Sequence, residues 1–292
     1  MPKDLKIKTE QLKRYFDQLS VKSFTVQKFI KIFEVEWKAW GIEKTTSSVD
    51  ILNYVVREKI FAYHQILDRY GDDKSILSYN AQNDLTIISG LKPEGYFTYQ
   101  TAMQIHGWAK KSSKMIYLNI EHTKDKGLPI DDNELSQETI DYAFGQPQRQ
   151  NQNLFIYKNK TIMVTNGKKT DRLGVVTIAD QQQYYAYTDM ERTLIDIVVR
   201  PVYAGNVRNI LKAFKKAKGS INIETLKAYL DRLNYIYPYH QAIGFYLEKA
   251  GYPMRDQYHF IQPHQFDFYL THDMDYPIYN EKWHIYHPEE IE

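Results

Sequence analysis

The segment from Ser47 to Leu67, SSVDILNYVVREKIFAYHQIL, decides how the N-terminal part of this chain folds, because a helical pattern gives way to a β pattern inside it. A serine at its start, Ser47 or Ser48, opens a helix. The apolar residues that follow recur at the spacing of one helix face: Ile51, Leu52, Val55 and Val56. Ile60–Leu67 then has the composition of a strand. We therefore predict a helix followed by a strand.

Two more helices are predicted upstream of this segment, the first capped by Thr9 and the second capped by Thr25 and ended by Gly41. Their apolar faces comprise Leu12, Tyr15, Phe16 and Leu19 in the first, and Phe29, Ile30, Phe33 and Trp37 in the second. Three short helices followed by a β segment is the element order of a winged helix-turn-helix, a compact DNA-binding unit. We assign residues 1–80 to this unit.

Residues 81–292 alternate between strand and helix patterns, which predicts a larger mixed α/β domain and an α+β fold class for the whole chain. The predicted helices are Thr98–Trp108, Glu134–Phe144, Thr188–Arg200, Val207–Lys216, Ile223–Leu233 and Tyr239–Ala250. The predicted strands are Met115–Ile120, a hairpin of Leu154–Tyr157 and Thr161–Thr165, Val175–Ala179, Phe266–Leu270 and Trp283–Tyr286. Thr188 and Glu191 have capping-box spacing. His122–Asn153 is predicted as a polar connector.

The composition excludes several classes of protein. The chain has 292 residues, 43% of them hydrophobic, so it can bury ordinary cores. The absence of cysteine excludes disulfides, a thiol nucleophile and cysteine-based zinc sites. No apolar run approaches the roughly 18 residues of a membrane span, and the polar start Met1–Glu10 does not resemble a signal peptide. We expect a cytoplasmic protein with no membrane partner.

The net charge of +2 is unevenly distributed along the chain. Residues 1–44 carry ten basic and six acidic side chains, whereas the C-terminal stretch from Gly251 is acidic. A basic front favours a polyanionic partner at that end. The alternative is two ordinary solvated surfaces.

Two sets of basic residues are candidate contact surfaces. The first lies at the ends of the N-terminal helices, where phosphate contacts are expected: Lys22, Lys28, Lys31, Lys44, Arg57 and Lys59. Asn53 and Arg57 are candidates for reading bases. The second set shares one helix face and suits nucleic acid or an acidic partner: Arg208, Lys212, Lys215 and Lys216. Solvated helix faces are the alternative for both sets.

No motif in the chain indicates catalysis, and we predict no catalytic residue, no metal and no cofactor. His-Glu-x-x-His, Gly-x-Gly-x-x-Gly and Gly-x-Ser-x-Gly are missing. Gly167–Thr170 resembles the end of a phosphate loop, but Ile162 replaces its first glycine, which favours a polar turn. The alternative is a metal-dependent nuclease that uses C-terminal residues: His259, His264, Asp267, His272, Asp273, His284 and His287.

Several strings resemble the AbiEi-type antitoxins. Gly95–Thr98 with Ala102 and Ile105–Gly107 is similar to one segment of that family, and Thr188–Pro201 (TDMERTLIDIVVRP) resembles its Glu-Arg-x-Leu-x-Asp helix. Further similarity lies in Tyr203–Gly205, Tyr237–Gly251, Phe266–Leu270, Trp283 and Pro288. Asn206 departs from the family, in which many members have a second glycine after Gly205.

The resemblance implies an antitoxin of a type IV toxin–antitoxin system that acts in abortive infection, a form of phage defence. Such an antitoxin carries an N-terminal winged helix-turn-helix, binds inverted repeats in double-stranded promoter DNA and represses its own operon. Its C-terminal domain counteracts a nucleotidyltransferase-like toxin, generally without a stable complex. Applied to this chain, the helix at Ser48–Lys59 would enter the major groove. A stand-alone DNA-binding regulator of the same fold is the alternative.

Overall fold

The computed structural model describes residues 7–81, 83–110, 113–123, 135–180, 183–263 and 265–291. The chain is a mixed α+β protein, as predicted, and divides into two compact units. Unit 1 comprises the chain up to Tyr96 together with 153–164 and 177–186, and unit 2 comprises 97–152, 165–176 and the chain from Tyr187 onward. Unit 1 consists of three separate stretches of the chain, so it cannot be compared directly with a single domain of residues 1–80. The domain boundary between residues 80 and 81 stays a prediction.

The helices of the described residues are α1 (Thr9–Gln18), α2 (Val26–Glu36), α3 (Ser48–Arg57), α4 (Asp84–Ser89), α5 (Tyr99–Ile105), α6 (Gln137–Phe144), α7 (Met190–Val199), α8 (Val207–Ala217), α9 (Ile223–Leu233), α10 (Tyr239–Lys249) and α11 (Met254–Tyr258). Two short 3₁₀ helices lie at Pro201–Ala204, between α7 and α8, and at Glu289–Ile291, after β13. Within the described ranges, no helix has the length and apolar character needed to cross a membrane.

The strands of the same residues are β1 (Ser23–Thr25), β2 (Ala62–His64), β3 (Leu67–Asp68), β4 (Ile76–Ser78), β5 (Tyr96–Phe97), β6 (Met115–Glu121), β7 (Leu154–Tyr157), β8 (Lys160–Gly167), β9 (Val175–Ala179), β10 (Tyr184–Thr188), β11 (Phe268–Tyr269), β12 (Ile278–Asn280) and β13 (Ile285–His287). They form sheets with the orders β1-β4-β2, β3-β7-β8-β6-β5-β10-β9 and β11-β13-β12.

The small sheet of unit 1 is antiparallel and has β4 at its centre. Leu77 of β4 lies opposite Phe24 of β1 on one side and opposite Tyr63 of β2 on the other. β1 is missing from the sequence prediction. Only part of the predicted strand Ile60–Leu67 is in strands: Ala62–His64 forms β2, and Leu67 is the first residue of β3.

Helix starts in unit 1 follow the predicted capping chemistry in two of three cases. The Thr25 side chain accepts a hydrogen bond from the backbone N–H of Lys28, and the Ser47 side chain accepts one from Asp50. The prediction for Thr9 is wrong, because Thr9 is the first residue of α1 and its side chain makes no cap. Its hydroxyl instead lies 2.9 Å from the hydroxyl of Tyr54.

The core of unit 1 is aromatic. Phe16 of α1 packs edge-to-face on Phe61, with ring centroids 4.8 Å apart, and both are fully buried with Phe24, Phe29 and Trp40. Phe16 of α1 and Phe29 of α2 thus share one core with Phe24 of the small sheet. Of the predicted inward residues of the three helices, all except Ile30 lie in this core or pack against it.

Unit 2 is organised around α7, which packs against α5, α8, α9 and α10. Its apolar residues are buried over two turns: Leu194, Ile195, Ile197 and Val198. The predicted capping box is wrong by one residue, because the Asp189 side chain caps the helix through the N–H of Arg192. The Thr188 hydroxyl instead lies 2.8 Å from that of Thr193.

The other predicted elements of unit 2 agree closely with the structure. Helix α9 has the predicted bounds, and α8 and α10 differ from prediction by one residue each. In unit 1, strand β7 and the first part of β8 form the predicted hairpin, in which Tyr157 pairs with Lys160. The late strands β11 and β13 are shorter than predicted. Residues 124–134 of the predicted connector, including Glu134 at the predicted helix start, lie outside the described residues.

Candidate nucleic-acid interface

Helix α3 buries one side in unit 1 and presents the other to solvent. Ile51 and Val55 are fully buried, and this fixes the rotation of the helix. Val49, Asn53 and Arg57 are exposed at i, i+4 and i+8, so they share one outward face. Val49 has 64% of its surface exposed and was not singled out from the sequence.

Arg57 is held in place by local contacts. Its Nε donates to Oε1 of Glu58 over 2.9 Å, and its guanidinium lies 5.8 Å from the centroid of the Tyr54 ring. Both side chains of the ion pair are close to half exposed. Exposed pairs of this kind contribute about 0–1 kcal/mol, so the guanidinium can exchange partners at little cost.

A groove of about 790 Å³ runs beside α3 in unit 1. It is bounded by the start of α2, by α3 and by the strands β2 and β4, and its lining includes Thr25, Gln27, Val49, Leu52, Asn53, Val56, Tyr63, Lys74 and Leu77. The exposed face of α3 therefore forms one wall of a concave surface. The N-terminal turn of α2 borders the same surface.

Four of the predicted phosphate contacts are available to a partner. Lys28, Lys31, Lys44 and Lys59 are exposed, and within the described residues none of them has a carboxylate at ion-pair distance. Lys28 lies in the first turn of α2, whereas Lys44 precedes α3 and Lys59 follows it. Lys28 and Lys31 thus place positive charge on α2, and Lys44, Arg57 and Lys59 place it near the two ends of α3.

Lys22 corrects the sequence prediction. Its side chain is only 5% exposed, and Nζ donates to the backbone carbonyls of Phe16 over 3.2 Å and Asp17 over 3.4 Å. It therefore satisfies carbonyls at the C-terminal end of α1. Burial lowers the pKa of Lys22, and the charge of Asp17 partly opposes that shift. Lys22 is a structural residue and is not accessible to phosphate.

Comparisons with known proteins add a likeness of fold. No protein-family model matches the chain, and no curated protein matches it. Over nearly its full length, the chain resembles a solved structure. This is the crystal structure of the Rv2827c protein from Mycobacterium tuberculosis, with a TM-score of 0.52 over 97% of this chain and 92% of that chain. Because only 11% of the aligned residues are identical, the likeness concerns the fold alone.

The predicted basic face of α8 in unit 2 is only partly free. Arg208 Nε lies 3.1 Å from Oε2 of Glu290. Lys216 Nζ donates to the carbonyls of Gly107 and Trp108 over 3.0 and 3.1 Å. Arg208 and Lys216 therefore already have partners within their own chain, although the Arg208 side chain is 58% exposed. Lys212 and Lys215 are exposed.

The Glu-Arg-x-Leu-x-Asp residues hold the fold of unit 2. Arg192 Nε donates to Oδ1 of Asp196 over 2.7 Å, and the Thr98 hydroxyl donates to Oδ2 of the same carboxylate over 2.7 Å. Glu191 accepts from the backbone N–H of Asn222 at 2.7 Å, ahead of α9. His106 Nε2 lies 2.9 Å from the carbonyl oxygen of Thr188, and burial lowers the pKa of His106. Apart from the Arg192–Asp196 pair within α7, these contacts join separate elements of unit 2.

The C-terminal histidines make local hydrogen bonds. His284 Nδ1 lies 3.2 Å from Oδ1 of Asp267, and His272 Nδ1 lies 3.1 Å from the carbonyl oxygen of Ala143. Among the described residues, no three His, Asp or Glu side chains converge in a way that suits a metal ion. His264 of the nuclease alternative lies outside the described residues.

Proposed function

We propose that unit 1 is a winged helix-turn-helix that binds double-stranded DNA, and that the chain is an AbiEi-type antitoxin that represses its own operon. The observation that carries the proposal is the path of the chain through unit 1. Helix α1, strand β1, helices α2 and α3, and strands β2, β3 and β4 follow one another, and β1, β2 and β4 form an antiparallel sheet in the order β1-β4-β2. A helix pair backed by such a sheet leaves α3 exposed for docking in a groove of DNA.

The outward face of α3 has side chains suited to base edges. The Asn53 amide can pair with N6 and N7 of adenine, and the Arg57 guanidinium can pair with O6 and N7 of guanine. Val49 offers an apolar surface to a thymine methyl group. Lys28, Lys31, Lys44 and Lys59 would set the register through phosphates, which makes binding salt-dependent. Occupancy of the promoter would block transcription without any chemical step.

The antitoxin half of the proposal is supported by sequence motifs in unit 2. Their residues form hydrogen bonds within α7 and between α7 and its neighbours, so they support a shared fold better than a contact surface. In this proposal, unit 2 counteracts a nucleotidyltransferase-like toxin without a stable complex. Lys212 and Lys215 remain candidate contacts for an acidic partner.

The DNA-binding half is tested by fluorescence anisotropy with the full chain, its own upstream DNA and a scrambled duplex, at two salt concentrations. We expect tighter binding to the upstream DNA, weakened at higher salt. Replacing Asn53 or Arg57 by alanine should reduce the preference for upstream DNA, at about 1–3 kcal/mol for each good base contact.

A charge-matched pair of double variants locates the interface. Lys28→Ala with Lys31→Ala should weaken binding to both duplexes and reduce the salt slope, because each lost phosphate contact lowers it by about one. Lys212→Ala with Lys215→Ala removes the same charge from α8 and should leave binding unchanged. Equal binding to both duplexes, or loss only in the α8 variant, would contradict the assignment of the DNA interface to unit 1.

The antitoxin half needs its own assay. A gene for a nucleotidyltransferase-like protein beside this one would be expressed alone and together with this chain. Growth arrest relieved by the chain supports the antitoxin assignment. Specific DNA binding without any such rescue would favour the stand-alone regulator.

A further inference from the structure

Unit 2 contains a polar cavity of about 380 Å³ that the proposed DNA binding does not use. It lies among the start of α5, strands β6 and β8, the segment 149–151 and the C-terminal half of α7. Ligand cavities of proteins begin at about 300 Å³, so this one suits a small ligand. An oligonucleotide or a folded peptide would not fit in it.

The ion pair between Arg192 and Asp196 forms part of one wall of the cavity. Asp196 accepts from Arg192 and from Thr98, as described above, and all three side chains are buried. The negative charge of Asp196 is therefore neutralised within this wall. The charge that remains for a ligand comes from the other cations.

Those cations are Arg149, Lys168 and Arg200. No carboxylate lies at ion-pair distance from Arg149 or Arg200 in the part of the chain that the structure describes. Lys168 Nζ donates to the carbonyls of Leu233 and Asn234 over 3.0 and 3.3 Å, which anchors its ammonium at the cavity. Two guanidinium groups and an ammonium without a neutralising carboxylate favour an anion, and guanidinium matches phosphate geometry.

Aromatic rings line the same cavity. The Tyr99 and Tyr203 rings have centroids 4.9 Å apart, and Tyr235 lies beside them along the wall. Tyr99 adopts φ +51°, a left-handed conformation that costs a non-glycine residue about 1–2 kcal/mol. The backbone N–H of Asn151 donates to the Tyr203 hydroxyl over 2.9 Å, which fixes the segment that carries Arg149.

A buried amide completes the site. Asn119 is only 4% exposed and lines the cavity. Its Oδ1 accepts from the Thr165 hydroxyl over 2.8 Å, but within the described residues nothing accepts a hydrogen bond from its Nδ2. Gly167 lies against this amide so closely that a Cβ there would be 2.8 Å from Nδ2. Asn119 lines the cavity, so its Nδ2 is a donor available to a ligand atom that accepts a hydrogen bond.

We propose that this cavity binds a nucleoside monophosphate. Arg149 and Arg200 bind the phosphate, and Lys168 adds positive charge beside it. The tyrosine rings contact the base, since aromatic side chains stack on bases of any sequence. The Asn119 Nδ2 donates to an acceptor on the base or sugar. No covalent step is involved.

The test is isothermal titration calorimetry of the full chain with each of the four ribonucleoside 5′-monophosphates, with adenosine and with inorganic phosphate. We expect at least one monophosphate to bind more tightly than adenosine and than phosphate alone, because it uses both parts of the site. Arg149→Gln and Arg200→Gln should each weaken that binding about tenfold to a hundredfold. Arg255→Gln is the matched control, because Arg255 is a highly exposed arginine of unit 2 outside the cavity.

A second variant separates binding from folding. Asn119→Asp retains the acceptor for Thr165 and replaces the Nδ2 donor by a carboxylate oxygen, so it should weaken nucleotide binding while the thermal unfolding curve stays cooperative. Absence of binding by every monophosphate up to about 10 mM overturns the proposal. Equal binding by the wild type and by Arg149→Gln with Arg200→Gln also overturns it. If inorganic phosphate binds as tightly as every one of the nucleotides, the proposal that the cavity recognises the base is overturned.

Discussion

Arg192 and Asp196 form an ion pair of 2.7 Å one turn apart on α7, and each side chain is only 6% exposed. A second pair with the same i, i+4 spacing, Lys227 and Asp231 on α9, has the same close geometry at 2.6 Å but an exposed carboxylate. The two pairs therefore differ chiefly in burial. Burial determines what the loss of one partner costs, because a charge left alone in the interior keeps its desolvation penalty.

We predict that Asp196→Ala destabilises unit 2 by about 3–5 kcal/mol, since it leaves Arg192 buried without its carboxylate and Thr98 without its acceptor. The matched substitution Asp231→Ala should cost about 0–1 kcal/mol. Urea unfolding of both full-length variants measures the difference. Similar losses in the two variants would show that burial of the α7 pair has no special energetic role.

Lys22→Met is predicted to destabilise α1 by about 1–3 kcal/mol, because the carbonyls of Phe16 and Asp17 lose a charged donor. Lys28→Met removes the same charge from an exposed position and should change stability by less than about 0.5 kcal/mol. Hydrogen–deuterium exchange at the C-terminal amides of α1 detects the difference locally. Unchanged exchange in Lys22→Met would rule out the structural role of this lysine.

Gly244→Ala is predicted to destabilise the chain by about 1–3 kcal/mol, although alanine favours helices. Gly244 lies on α10 directly against the fully buried Trp283, and an added Cβ would overlap the six-membered part of that ring. Trp283→Phe removes the overlapping atoms. In a double-mutant cycle, the cost of Gly244→Ala should fall in the Trp283→Phe background. Additive costs would contradict this steric explanation.

Stability should decrease as the pH falls below 6.5, in part because of His106. Burial lowers the pKa of His106 below its ordinary value of 6.5, against the opposing effect of its contact with Thr188. Between the lowered folded-state pKa and 6.5, the unfolded chain binds the extra proton, so the contribution of this residue is complete above pH 6.5 and is lost as pH falls through the folded-state pKa. NMR titration should give a midpoint below 6.5, and His106→Gln should reduce the decrease in stability. A midpoint at or above 6.5 would disprove the effect.

The sequence pattern was sufficient to predict those helices and strands whose ends are set by residues within the element or next to it. The caps at Thr25 and Ser47, the bounds of α9 and the β7–β8 hairpin were all predicted, because side-chain capping and helical or alternating periodicity act within a few residues. The α+β class followed from the same patterns. The exposure of Asn53 and Arg57 followed once Ile51 and Val55 defined the buried face of α3.

Tertiary contacts decided the rest, because a polar side chain takes whichever partner folding brings within reach. Strand β1 exists through its pairing with β4, more than fifty residues away, and three residues carry too little pattern to reveal it. Thr188 carries the sequence signature of a cap, yet its hydroxyl bonds to Thr193 and Asp189 takes the cap. In the sequence, Lys22 is indistinguishable from a surface cation, but in the structure it is buried and its ammonium donates to a carbonyl at the end of α1. Arg149 and Arg200, unremarkable in sequence, line one cavity with the buried amide of Asn119. Sequence by itself therefore determined the elements and their faces, while desolvation and hydrogen-bond geometry between distant residues decided which polar groups are structural and which remain available to a ligand.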